Sequence, residues 1–106
     1  MNFLAVTACP SGVAHTYMAA EAIEKAAKAR GIKIKVETQG SIGIENRITM
    51  EEVKNADAII LTKDIGIKEK ERFDGKLVVN VGVSDAIRKS DQLIEKVIAY
   101  IESIKK

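Results

Sequence analysis

FLAVTACPSGVAHT, residues 3–16, decides how this chain is read. Its first six residues are uninterrupted apolar or small and suit a buried strand. Its last eight, CPSGVAHT from Cys9 to Thr16, are a short run of small residues, and an Ala-rich helical pattern follows at once. Strand, tight loop, helix places Cys9 above backbone N–H groups that have no intrahelical partner. Those groups and the helix dipole favour an anion, first a thiolate and then the oxygens of a phosphoryl group. Cys9 is the only cysteine.

Working outward, the first helix is expected over residues 13–30, stopping at Gly31. Ala14, Met18, Ala22, Ala26 and Ala29 recur along it and are read as the face against the sheet. IKIKVET, residues 32–38, alternates strictly, with Ile32, Ile34 and Val36 on one face and Lys33, Lys35 and Glu37 on the other. It reads as a half-exposed edge strand. QGSIG, residues 39–43, reads as a turn-rich polar loop. Thr49 and Glu52 form a capping box that opens a short helix before Ala56. AIIL (58–61) is a central strand and LVVNV (77–81) a fourth strand. Ser90 is expected to cap the last helix, with Ile94, Val97, Ile98, Ile101 and Ile104 as its apolar stripe. IGIKEKERFDGK, residues 65–76, has no clean period and reads as a loop with a helical turn or two, the charges at 68–72 facing solvent.

The expected fold is α/β: an open four-stranded parallel sheet, order 2-1-3-4, with helices on both faces and a phosphate-type loop after strand 1. Winding reverses between strands one and three, and ligands of such sheets bind outside the carboxyl ends of the strands at that reversal. Cys9 begins the loop there.

Bulk properties restrict the alternatives. At 106 residues the expectation is a single domain spanning residues 1–106. The 17 basic and 15 acidic side chains leave a net charge of only +2, without an aromatic-interleaved basic stripe, so nucleic-acid binding is not indicated. One cysteine and one histidine provide no thiolate-rich metal site, and no metal or cofactor is expected. The opening MNFLAV has no charged leader, and no apolar run approaches the roughly 18 residues of a membrane span, so the chain reads as cytoplasmic and not membrane-inserted.

A C-x5-R loop after the first strand marks cysteine-dependent phosphatases. Here His15 stands where that arginine would be, Arg30 is the first arginine, and no Asp-Pro occurs to supply a general acid. The bidentate guanidinium that would clamp three equatorial oxygens is missing from the loop. Pro10 and Gly12 set the loop's entry and close backbone approach. Ser11 and Thr16 either cap the helix or offer hydroxyls to sulfur or phosphate. With Val13, Ala14 and His15 they complete the candidate phosphoryl-binding loop. His15 reads as a neutral ring that orders the loop or faces a partner, since a helix N-terminus disfavours imidazolium. Thr38, Gln39 and Ser41 lie at the same end of the sheet and read as a polar loop.

ACPSGVAHTYMAAEAI (8–23), ETQGSIGIEN (37–46) and RFDGKLV (72–78) together resemble the IIB component of the fructose-type (fructose–mannitol) sugar phosphotransferase system, over nearly the whole chain. The resemblance implies a relay. A phosphohistidine on a IIA component would load Cys9, which would discharge to a sugar held by the membrane-embedded IIC component. IIA and IIC are the expected partners, on separate chains or on the remainder of a longer one. Three other readings stay open: a small cysteine-dependent phosphatase, a thiol redox enzyme such as arsenate reductase, and a non-catalytic anion-binding module. The missing loop arginine counts against the first and the missing resolving cysteine against the second.

Overall fold

A computed structural model describes residues 1–8, 13–40 and 43–105. β1 (Asn2–Ala8) runs through the middle of the sheet, paired in parallel with β2 (Lys33–Gly40) on one side and β4 (Ala58–Thr62) on the other. Every β1 residue after Asn2 is buried, as its unbroken apolar sequence requires. β5 (Val78–Val81) joins β4 in parallel, and β3 (Gly43–Glu45) joins β2 antiparallel.

The sheet is therefore five-stranded and mixed, in the order β3-β2-β1-β4-β5. This corrects the expected all-parallel, four-stranded sheet in detail: the four parallel strands keep the expected relative order, and β3 is added beyond β2. β2 is consequently not an edge strand. The stretch read as a loop supplies the end of β2 and, from Gly43, the short return strand; Gly43 has φ +107, open to glycine at little cost.

Helices cover both faces, as expected. α1 (Val13–Ala29), α3 (Val83–Arg88) and α4 (Ser90–Lys105) pack over Phe3, Ala5, Val36, Ile60 and Val79. α2 (Met50–Asn55) and a 3-10 turn (Lys70–Phe73) cover the alternate residues Leu4, Val6, Ile59 and Leu61, with Ile48, Val53 and Phe73 filling the layer. The crossover through α1 leads from β1 to β2, and the one through α2 leads back past β1 to β4. That reversal puts the two helices on opposite faces.

α1 ends in a Schellman motif: Ile32 N–H bonds Ala27 carbonyl and Gly31 N–H bonds Lys28 carbonyl, both at 3.0 Å, with Gly31 at φ +70. Its buried face is Ala19, Ile23, Ala26 and Ala27, not the expected row through Ala14, Met18, Ala22 and Ala29. Strict i, i+4 steps drift round a helix of 3.6 residues per turn, so only Ala26 of that row reaches the core. The capping box at α2 is present, Glu52 N–H bonding Thr49 Oγ1 at 3.2 Å and Thr49 N–H bonding Glu52 Oε1 at 2.9 Å. α3 was not foreseen. Along α4, Leu93, Ile94, Val97 and Ile101 are buried, whereas Ile104 is 67% exposed beyond the end of the sheet.

Candidate functional site

The crevice at the carboxyl end of β1 is shaped by a change of partner. β1 and β4 pair from Phe3↔Ala58 to Val6↔Leu61. Beyond this the strands part, and the Thr62 hydroxyl replaces the ladder. It accepts from Ala8 N–H at 2.9 Å and donates to Ala8 carbonyl at 3.1 Å. Thr7 Oγ1 donates to the Thr16 carbonyl at 3.1 Å, tying the end of β1 to the first turn of α1. Residues 9–12 connect these two tied points. Both threonines are buried, and each hydroxyl satisfies a backbone group that would otherwise be desolvated at a loss.

Cys9, Pro10, Ser11 and Gly12, four of the candidate loop residues, lie outside the described residues. Val13 opens α1. Ala14 and His15 in its first turn are exposed, and Thr16 is buried. A recess of about 210 Å³ lies beside Ala8, the residue before Cys9, where the ends of β1, β2 and β4 converge. Gln39 and Gly40 line it from β2, Gly43 and Ile44 from β3, and Ile65, Gly66 and Lys68 from the loop after β4. No arginine is among these. Arg30 is at the far end of α1, about 25 Å along its axis at 1.5 Å per residue. There it bonds Ala26 carbonyl and Asp91 at 3.0 Å.

Behind the recess is a polar cluster that periodicity alone did not reveal. Glu37, expected on the solvent face of β2, is fully buried. Arg72, read as part of a solvated charged stretch, forms a fork with it: Nη1 to Oε1 at 2.8 Å and Nη2 to Oε2 at 2.9 Å. Both expectations failed because α2 and the 3-10 turn cover that face. Glu37 also accepts from Ile48 N–H and from Gln39 Nε2, each at 2.8 Å. Burial alone would push the Glu37 carboxyl up, but the donors from Arg72, Ile48 and Gln39 together outweigh it and hold the group below the usual carboxylate range. Arg72 is raised correspondingly, first through its bonds to Glu37.

Gln39 carries the cluster to the rim. Besides reaching Glu37, it accepts from Lys68 N–H at 2.8 Å and donates to Lys68 carbonyl at 3.0 Å, imitating a strand ladder with its side chain. Thr38 and Gln39 are buried strand residues, not loop residues; Ser41 lies outside the described residues. Tyr17, Met18 and Ile65 are exposed near this end of the molecule, and Tyr17 Oη donates to the Glu45 carboxylate of β3. The available signal for the cluster was the pair of quoted segments ETQG and RFDG, which Glu37 and Arg72 join.

Fold and crevice define a doubly wound α/β protein whose candidate loop leaves the central strand at the switch point. A family model described as PTS system, Lactose/Cellobiose specific IIB subunit matches residues 4–96. A protein named PTS system fructose-like EIIB component 2, from Escherichia coli strain K12, is 63% identical over 100 residues, covering 94% of each chain. The PTS system fructose-specific EIIABC component of Bacillus subtilis strain 168 is 52% identical over 95 residues, which are 90% of this chain and 15% of that one. Among solved structures, an enzyme IIB subunit of the PTS system from Escherichia coli K12 superposes with TM-score 0.91 at 37% identity, covering 99% of this chain and 97% of that one. The chain belongs to the fructose-type IIB components of the sugar phosphotransferase system, a transferase family.

Proposed function

We propose that Cys9 is the phosphoryl carrier of this IIB protein, acting as one domain over residues 1–106 on the cytoplasmic side of a membrane. The thiolate attacks the phosphorus of a IIA phosphohistidine. An S–P bond forms, the N–P bond breaks, and the histidine, protonated beforehand on its other ring nitrogen, leaves as a neutral ring. A sugar hydroxyl held by IIC then attacks phosphorus, so that the P–O bond forms, the S–P bond breaks and the thiolate returns. The hydroxyl proton passes to a base on the sugar-loaded partner. Residues 10–16 supply the loop that holds the phosphoryl oxygens. Relatives named fructose-like and fructose-specific support fructose as the sugar, and the EIIABC relative supports IIA and IIC as partners.

The observation that carries this reading is where β1 ends: Ala8, the residue before Cys9 in the sequence, closes a central strand buried from Phe3 onward, at the switch point, and α1 begins at Val13. Charge stabilisation by preset backbone dipoles suits a transfer whose main demand is positioning. The test is incubation with a phosphorylated fructose-type IIA component, followed by intact-mass measurement. Native protein is expected to gain one phosphoryl group, removed from the spectrum by Cys9→Ser. A serine variant that still gains it at the native rate would assign the carrier to another residue.

A further inference from the structure

We infer that Gln39, anchored by the Glu37–Arg72 fork, is a positioning residue for phosphoryl transfer: it fixes the wall of the recess opposite the end of β1. This rests on the reading of Cys9 as carrier. Gln39 stands directly beside Ala8 in the sheet register, one residue from Cys9. Its carboxamide holds both backbone groups of Lys68, and Lys68 and Gly66 face the recess on which Ala8 also borders. Among the described residues the segment that includes Gly66 has no strand partner, so this side-chain ladder is its direct tie to β2; Arg72, held on Glu37, adds a longer bond from Nη2 to the Lys68 carbonyl at 3.4 Å. A lone glutamine could swing away; Glu37 prevents that by accepting from Gln39 Nε2, and Glu37 is itself held by Arg72 and Ile48 N–H. All these groups are satisfied by one another, and no described buried side-chain N or O lacks a partner. Fully satisfied buried networks rigidify what they join. The cluster therefore does more than fill the layer: it sets how far the loop after β4 stands from the residue that leads into Cys9.

The test pairs two measurements on Gln39→Met, which keeps length and loses both bonds to Lys68 and the one to Glu37. A second variant, Gln39→Asn, keeps the amide but is one methylene too short, and serves if the methionine variant does not fold. Circular dichroism and thermal unfolding establish the fold of each. Amide hydrogen exchange across residues 64–68 is expected to quicken about tenfold or more, with β1 and β4 unchanged. In single-turnover transfer from the phosphorylated IIA component, the maximal rate is expected to fall about tenfold or more, while the half-saturating donor concentration stays within about twofold. Unchanged exchange, or quickened exchange with native transfer, would overturn the proposal. So would a loss confined to donor affinity, which would make Gln39 part of a docking surface. If native protein accepts no phosphoryl group, the carrier reading falls and the positioning role falls with it. That failure is recognisable because exchange needs no donor and would still report the tie.

Discussion

Glu37 shows what a single position can conceal. Alternation in IKIKVET correctly separates the two faces of the strand, but it carries no information about what lies over each. The cover is Arg72, 35 residues away in sequence. Removing the Glu37 carboxylate leaves the buried Arg72 charge only the Ile48, Lys68 and Glu69 carbonyls and the Glu69 carboxylate at 3.8 Å, and Glu37→Ala is expected to destabilise the fold by about 3 kcal/mol in urea unfolding. Because the folded state holds this carboxyl below its ordinary value of 4.5, its contribution is fully present above that pH. It is lost as pH falls through the depressed value, and Glu37→Gln should flatten that part of the acid unfolding curve. His15 is the opposite case. Its exposed place in the first turn of α1 predicts that His15→Ala leaves stability unchanged and slows single-turnover transfer without abolishing it. Complete loss in a folded variant would make the ring an essential acid–base group.

Among the elements, those written in local chemistry were legible and those made by tertiary contact were not. Gly31 as the stop of α1 and Thr49-x-x-Glu52 as the start of α2 are both read from a few adjacent residues, because capping is satisfied within one turn. Gly31→Ala, forced to φ +70, is expected to lose about 1–2 kcal/mol, and Thr49→Ala about 1 kcal/mol, with the urea m-value unchanged in both. β3 is three residues long and exists through its register with Thr38, Gln39 and Gly40. α3 has only Val83 and Ala86 buried; the Val83 N–H at its start donates to Asp64, on the loop after β4, at 2.8 Å. Two apolar positions make no detectable period, and a cap lent by another loop leaves no local mark.

Across the whole molecule, the succession of strands and helices with the handedness of crossovers gave the relative order of the parallel strands, and so the end of the sheet at which Cys9's loop emerges. The same end accounts for what the protein is expected not to do. With no arginine among the described residues that line the recess, an aryl phosphate should show no sustained Cys9-dependent release approaching about 1 per second. Multi-turnover release at such a rate, absent in Cys9→Ser, would make it a phosphatase. The threonine ties bear on how such a carrier survives repetition. Thr62 secures Ala8 to the sheet and Thr7 secures the first turn of α1, so the strand end and the helix start on either side of residues 9–12 are two fixed moorings. On the proposed relay, loading and unloading would then need no travel of strand or helix. The free energy of each donor would pass on to the sugar instead of being dissipated in deforming the protein.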